Sequence, residues 1–417
     1  MSEQTIQIIG RSSSSPDMNL NEGYFDAFSR LRVSDPTGLF STQLQYDLDP
    51  LQMESGNTGS GTAPAHSAND RMATLAATGT GTSFMQSYQY FPYQPGKSQL
   101  IFITGVVGTA TANIVKDYGY FDSANGIIFR QDGTSGYKFI RRTSTSGSVV
   151  NNEVAQADWN LDPLNGSGKS GITLDVADTF ILVIDLQFLA MGRVRCGFDI
   201  DGHVVYCHEF LNANNLSVPY MQTATLPVQA LLTSSSGATG SMKFKCASVI
   251  SEGGFQYEAG YSFATPSVSV SAGSGTRTHA QSIRPNTTFN SKTNRSLFVL
   301  NSLAILVTGN YPIFWELGVN ATFSAEPTYA DVDGTYSAFE YGISGTYTAS
   351  SGIIIASGYI GASAQSKGSE DKTILNRYPI TLDRAGAVRN LGTLTLFVTG
   401  IGGASATYSS INYTEIR

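Results

Sequence analysis

The residue types that could carry catalysis or bind a metal fall in a few short stretches of the sequence. Two contain Gly-Lys-Ser: Pro95-Gly96-Lys97-Ser98 and Asn165-Gly166-Ser167-Gly168-Lys169-Ser170-Gly171. A phosphate-binding loop needs a further glycine five residues before the glycine that precedes the lysine, with a strand in front and a helix behind to aim its N-terminal amides at the phosphate. Those positions hold Phe91 and Pro163, and the strand-like Ile172-Thr173-Leu174-Asp175 follows Lys169, so both stretches are expected to be turns. Asp199-Ile200-Asp201-Gly202 and Asp331-Val332-Asp333-Gly334 resemble the middle of a calcium loop. In the second, Glu340 stands at the twelfth position but Tyr329 at the first, where an acid is required, so an acidic turn is expected instead of a metal site.

His203, Cys207 and His208 are close in sequence, yet on a strand His203 and Cys207 face one side and His208 the other, so zinc is not expected. His66 and His279 stand alone, and no Gly-x-Ser-x-Gly elbow with a plausible partner occurs, which argues against a Ser-His-Asp hydrolase. A glycosidase needs two carboxylates flanking the scissile bond. The Glu-x-Asp-x-x-Glu strand of concanavalin-like glucanases is missing here, and most acids sit beside Gly or Asn at turns. The chain therefore reads as non-enzymatic, with no catalytic residue, cofactor or metal assigned.

What remains is aromatic. Tyr88, Tyr90, Phe91 and Tyr93, interleaved with Gln89 and Gln94, form the densest set in the body of the chain, and Tyr336, Tyr341 and Tyr347 lie near Asp331 and Asp333. Sugar C–H faces stack on rings while hydroxyls need polar partners, so Tyr88, Tyr90, Tyr93, Tyr336 and Tyr341 are candidate ligand-face residues. The competing reading is that they pack the sandwich.

The elements that must position these residues are strands. Of 417 residues only 14% are charged, 43 are glycine and about a fifth are Ser or Thr, and helical heptads are missing. Short apolar runs such as Leu100-Ile101-Phe102-Ile103, Gly126-Ile127-Ile128-Phe129 and Phe180-Ile181-Leu182-Val183-Ile184 recur between Gly, Asn, Asp and Ser, the pattern of antiparallel sandwiches. Asp201-Gly202 between Val194–Ile200 and His203–His208 predicts a type I′ hairpin. A length of 417 residues exceeds one ordinary core. We expect an N-terminal arm over 1–55, a β-sandwich over 56–255, a Ser/Gly-rich linker over 256–290 around Ser267–Thr276, and a second β-sandwich over 291–417. The arm holds Tyr24, Phe25, Phe28, Leu31 and Arg32, whose aromatics must bury against something else.

The net charge of −7 and the scarcity of basic runs argue against direct nucleic-acid binding. Three cysteines, Cys196, Cys207 and Cys246, fit buried thiols in a reducing compartment. No Sec-type signal is expected after Met1-Ser2-Glu3-Gln4, nor membrane insertion, since the most apolar stretch, Phe180 to Met191, is broken by Asp185 and Gln187.

Gly119-Tyr120-Phe121-Asp122-Ser123-Ala124-Asn125-Gly126, Arg141-Arg142-Thr143-Ser144, Trp159-Asn160-Leu161-Asp162, Met191-Gly192-Arg193-Val194-Arg195-Cys196-Gly197-Phe198, the arm Gly23–Ser34 and Tyr378-Pro379-Ile380-Thr381-Leu382-Asp383 together resemble virion structural proteins of tailed bacteriophages. That resemblance implies a particle component made in the bacterial cytoplasm: a tail-fibre or baseplate attachment protein, a capsid decoration or head-fibre protein, or, as a third alternative, a glycan-degrading tail enzyme. It implies other virion proteins as partners, a homo-oligomer such as a trimer, and a host-surface glycan or protein as ligand. The Asp-Gly hairpin and the strand before it resemble laminin-G or concanavalin-like sandwiches, so the sandwiches are expected to be of jelly-roll or concanavalin type. A chain lacking residues 1–50 should fold yet fail to enter particles. Normal incorporation would show that the arm packs only on its own chain.

Overall fold

The computed structural model describes residues 34–349, 351–362, 365–368 and 378–417, with the two-residue strands Thr5–Ile6 and Met18–Asn19. The arm residues Tyr24, Phe25, Phe28, Leu31 and Arg32 lie outside the described residues. The fold is all-β and antiparallel, and helical structure among the described residues is confined to single 3-10 turns such as Gln156–Asp158.

The N-terminal half forms one 13-stranded sheet. Its strands run in spatial order Val150–Ala155, Tyr137–Thr143, Gly126–Asp132, Ile114–Phe121, Val228–Ser234, Ala73–Ser87, Gly240–Ser251, Ser98–Val106, Thr179–Gln187, Val194–Ile200 and His203–Phe210. Thr37–Thr42 adds to Gly240–Ser251, and Met53–His66 adds to Ala73–Ser87. Period-2 alternation decides which side is dry: in Ser98–Val106 every second residue, including Ile101 and Ile103, is buried.

The sheet curls until its two ends face each other. Phe129, near one end, packs against Phe198 at 5.1 Å and Phe180 at 6.2 Å, both on strands near the other end. Tyr118 and Phe180 meet edge to face at 4.9 Å, and Phe139 closes on Phe198 and Trp159. The sandwich is thus one sheet folded over an aromatic core. The Asp201-Gly202 turn has φ of 54° and 80° and joins Ile200 to His203 in register, the two-residue hairpin read from the sequence.

The C-terminal half packs two sheets face to face. One holds Tyr261–Ala264, Val268–Ala272, Leu297–Val307, Gln365–Gly368 and Ser405–Ile416; the other holds Thr278–Pro285, Ile313–Val319, Thr328–Asp331, Phe339–Ile343, Ile353–Ile360 and Leu394–Gly400. Phe298 and Tyr413 from the first meet Phe339 from the second, each at 5.5 Å. The Glu415 carboxylate is fully buried behind them and accepts from the Ala338 amide and the Ser337 hydroxyl.

Two boundaries differ from the sequence reading. Residues 256–290 hold the strands Tyr261–Ala264, Val268–Ala272 and Thr278–Pro285 and are part of the second sandwich instead of a linker. Ser269 and Ser271 face solvent while Val268 and Val270 are half-buried, an edge-strand alternation hidden by the Ser/Gly composition. Within the expected arm, Thr37–Thr42 is already a strand of the first sheet, and Phe40 is buried against Phe91. Cys196 and Cys207 are buried and Cys246 half-buried, all unbridged.

Phe129 touches four rings of this core, including Tyr137 and Phe139, so Phe129→Ala should cost about 3–5 kcal/mol in urea unfolding. Phe129→Leu should cost clearly less. Equal, small losses for both would mean that the two ends of the sheet are not held through this ring.

Candidate functional site

The loop from Pro379 to Arg389 in the C-terminal half lies against the first sheet. Arg389 stacks on Tyr88, its Cζ 3.7 Å from the ring centre, and Arg384 on Phe84 at 4.3 Å; Arg295 stacks on Tyr90 at 4.0 Å. Each stack is worth about 0.5–2 kcal/mol. Backbone carbonyls hold the guanidinium groups in place. Arg389 donates to the carbonyls of Pro379 and Thr381, and Arg295 to those of Asp383 at 2.7 Å and Arg384 at 3.0 Å. The Arg384 amide donates to the Glu54 carboxylate at 2.7 Å, and the Thr381 hydroxyl to the Tyr88 carbonyl at 3.3 Å.

These contacts wall a cleft of about 1370 Å³ between the two halves. Its first-sandwich side includes Glu54, Phe84, Gln86, Tyr90 and Asp122; its second-sandwich side includes Phe289, Lys292, Arg295, Arg384 and Arg417. Gln86 is 1% exposed, and neither its amide nitrogen nor its oxygen makes a well-formed hydrogen bond, with the Tyr90 hydroxyl as its polar neighbour. Burial raises the Glu54 pKa above its ordinary value and the neighbouring Asp383 adds to this, against the opposing pull of the Arg384 amide bond and of the Arg384 and Arg389 charges.

The structure divides the first aromatic set. Tyr88 and Tyr90 lie under arginines at the seam, with Tyr90 5% exposed, and Phe91 is in the first core beside Phe40 and Tyr120. Tyr93 packs edge-on to Phe188 and accepts the Leu189 amide, beside a separate hollow of about 310 Å³. In that hollow Asp185 is ion-paired to Arg195 and accepts the Tyr206 hydroxyl, while Glu252 accepts the Ser98 hydroxyl.

The second set is dispersed as well. Tyr336 is 67% exposed on a turn whose amides at Thr335 and Tyr336 donate to Asp333, holding that carboxyl below its usual range. Tyr341 is half-buried in its strand, and Tyr347 packs on Phe397 and accepts from Arg277. Sequence reasoning missed Gln86, Glu54, Arg295, Arg384 and Arg389. Their one signal is a pair of arginines five residues apart in a loop with few acids to pair them.

The remaining motifs settle locally. Asp162 accepts the amides of Leu164 and Ser170 and so braces the Gly168-Lys169 turn, and Lys97 donates to Gln94. A bulge at Cys207 buries Cys207 and His208 in succession, while His203 is exposed. Among the described residues no group of three or more His, Cys, Asp or Glu is placed to hold a metal ion. Nor, among them, is any helix long and apolar enough to cross a membrane.

No protein-family model matches the chain, and no curated protein matches it in sequence. Solved structures similar over about half of it include the CBM2 module of the evolved Dit protein of Lactobacillus casei BL23 phage J-1, at 12% identity, covering 54% of this chain and 100% of that one, with a TM-score of 0.33. A carbohydrate esterase from the Shiga toxin-encoding bacteriophage phi24B is 11% identical, covering 52% and 100%, with a TM-score of 0.32. A Bacillus licheniformis β-glucanase is 11% identical, covering 50% and 96%, with a TM-score of 0.33.

Because the folded state raises the Glu54 pKa, it holds that proton more tightly than the unfolded chain, and Glu54 lowers stability progressively as pH rises from about 4.5 through its folded pKa. Glu54→Gln keeps an acceptor for the Arg384 amide and removes the buried charge. Its melting temperature should equal or exceed the parent's at pH 7, with the difference closing at pH 4. A fall of several degrees at pH 7 would show that the charge itself holds the seam.

Proposed function

We propose that this chain is a non-enzymatic structural protein of a tailed-bacteriophage particle, an attachment component of the tail or baseplate that recognises the host surface. The observation that carries the recognition reading is the cleft, a large concavity lined by charged, hydroxyl-bearing and aromatic side chains, whose two sides are held together by arginine–aromatic stacks. Binding sites of this kind are largely pre-formed. The phage assignment rests on the sequence resemblance of the Gly119–Gly126, Met191–Phe198 and Tyr378–Asp383 segments and the N-terminal arm.

The disposition of the acids supports binding over hydrolysis. Asp117 is paired with Arg130, Asp185 with Arg195, Glu316 with Arg277 and Glu340 with Arg284, and Glu54 is occupied by a backbone amide. A general acid for glycoside cleavage would instead be a free carboxyl facing a second one across the substrate.

Cryo-electron microscopy of the intact particle should place the chain at the tail or baseplate, and purified protein should bind host cells and compete with infecting phage. Density confined to the capsid shell, with no cell binding, would replace attachment by decoration. Release of reducing sugar from host envelope polysaccharide by purified protein, abolished in Glu54→Gln, would overturn the non-enzymatic reading.

A further inference from the structure

We infer that the cleft between the two halves takes an anionic saccharide, a short run of sugar rings bearing carboxylate or sulfate groups. Arg384 and Lys292 would meet the anion and Gln86 a ring hydroxyl. The inference deepens the attachment reading and rests on it.

Charge comes first. The cleft is lined by Lys292, Arg295, Arg384 and Arg417 against Glu54 and Asp122. Arg417 is paired with Glu415, and Arg295 is occupied by two carbonyls. Arg384 is different: its guanidinium stacks on Phe84 and makes no hydrogen bond to any described residue, although burial works against its charge. A half-buried fork of five N–H donors without an acceptor matches a planar or tetrahedral oxyanion. Lys292 is exposed and likewise has no ion pair among the described residues.

Gln86 supplies the second, independent observation. It lines the cleft, is 1% exposed, and neither amide atom makes a well-formed hydrogen bond, the Tyr90 hydroxyl being the polar group beside it. Its neighbour across the strand pair, Gln229, also has an unpartnered amide nitrogen. A buried amide left this way is costly to the folded chain. A sugar hydroxyl both donates and accepts, so it can serve the oxygen and the nitrogen of Gln86 together.

The aromatic faces decide between anionic and neutral sugars. Neutral sugars are held largely by stacking on open rings, but Phe84, Tyr90 and Phe289 are each covered by an arginine. Covered rings also leave nothing for bases to stack on, which disfavours a single-stranded nucleic acid. Hydroxyls of Thr58, Ser123 and Thr223 on the same walls suit a polyhydroxylated ligand, and about 1370 Å³ exceeds the range of about 300–1,000 Å³ usual for small-molecule pockets.

The test is calorimetric titration of the full chain with four probes: tetragalacturonate, a heparin-derived tetrasaccharide, cellotetraose and an eight-residue oligothymidylate. At least one anionic tetrasaccharide should bind ten or more times tighter than cellotetraose and weaken on raising salt from 25 to 300 mM. Arg384→Met and Gln86→Leu should each raise its Kd at least fivefold with a native melting transition. Should Gln86→Leu not fold, Lys292→Gln provides the same reading from the exposed wall. The inference is overturned if neither anionic probe binds at millimolar concentration, if cellotetraose or the oligonucleotide binds as well, or if the folded variants bind like the parent. Host-cell binding separates the two levels: a parent chain that binds cells but no probe leaves attachment standing and removes the saccharide. One that binds the probe but no cells retains the saccharide site and removes attachment.

Discussion

The arrangement of the molecule depends on how one apolar face is covered. The outer side of the first sheet carries Phe84 and Tyr88 on or beside the strand Ala73–Ser87, with Tyr90 just beyond it, and rings of that size are costly to leave in water. The second half covers them with guanidinium groups instead of aliphatic side chains. Arginine has a flat face for the ring and an edge of donors for backbone carbonyls, so one residue covers apolar surface while fixing a loop. Arg389 does both, lying on Tyr88 and donating to Pro379 and Thr381. The loop from Pro379 to Arg389 therefore has little freedom, and the two walls of the cleft keep a set separation.

Such a seam leaves polar groups where an aliphatic one would leave none. One nitrogen of Arg389 is buried without a well-formed hydrogen bond, as is the amide of Gln86 in the row Glu54, Gln86, Gln229 that crosses three adjacent strands. Side chains directly opposite in antiparallel strands share a face, so this row presents a carboxylate and two amides to one side of the sheet. Glu54 meets the Arg384 amide, while Gln86 lies against the cleft. Unpaired buried amides are rare because they cost stability.

Much of the fold is legible from local pattern. The hairpin at Asp201-Gly202 follows from two positive-φ positions between strand-like runs, and Ile101, Ile103 and Phe129, from the short apolar runs read as strands, lie in the first core. The pattern fails where composition masks alternation, as at Val268–Ala272, whose half-buried valines alternate with exposed serines. The candidate site was less legible, since its contacts join residues far apart in sequence: Glu54 meets Arg384, and Tyr88 meets Arg389. The aromatic run at 88–93 was visible, but no local rule tells a ring covered by an arginine some 300 residues away from one open to a ligand. Its members go to three places: the seam, the first core and the Tyr93 hollow.

The pairing of charges elsewhere sharpens what is unusual at the seam. Asp117 and Arg130, Asp185 and Arg195, and Arg284 and Glu340 are directly opposite on neighbouring strands, so their ion pairs are local to the sheet and tie each strand to the next. Arginines placed this way leave no demand on outside ligands. Arg384 stands on a loop, where no partner strand offers a carboxylate in register, and Glu54, whose charge it feels, takes its hydrogen bond from the Arg384 backbone instead of its guanidinium. The same backbone bond that closes the seam therefore leaves the guanidinium without a hydrogen bond to any described residue, so the face through which the two halves join also carries donors that the fold itself does not use.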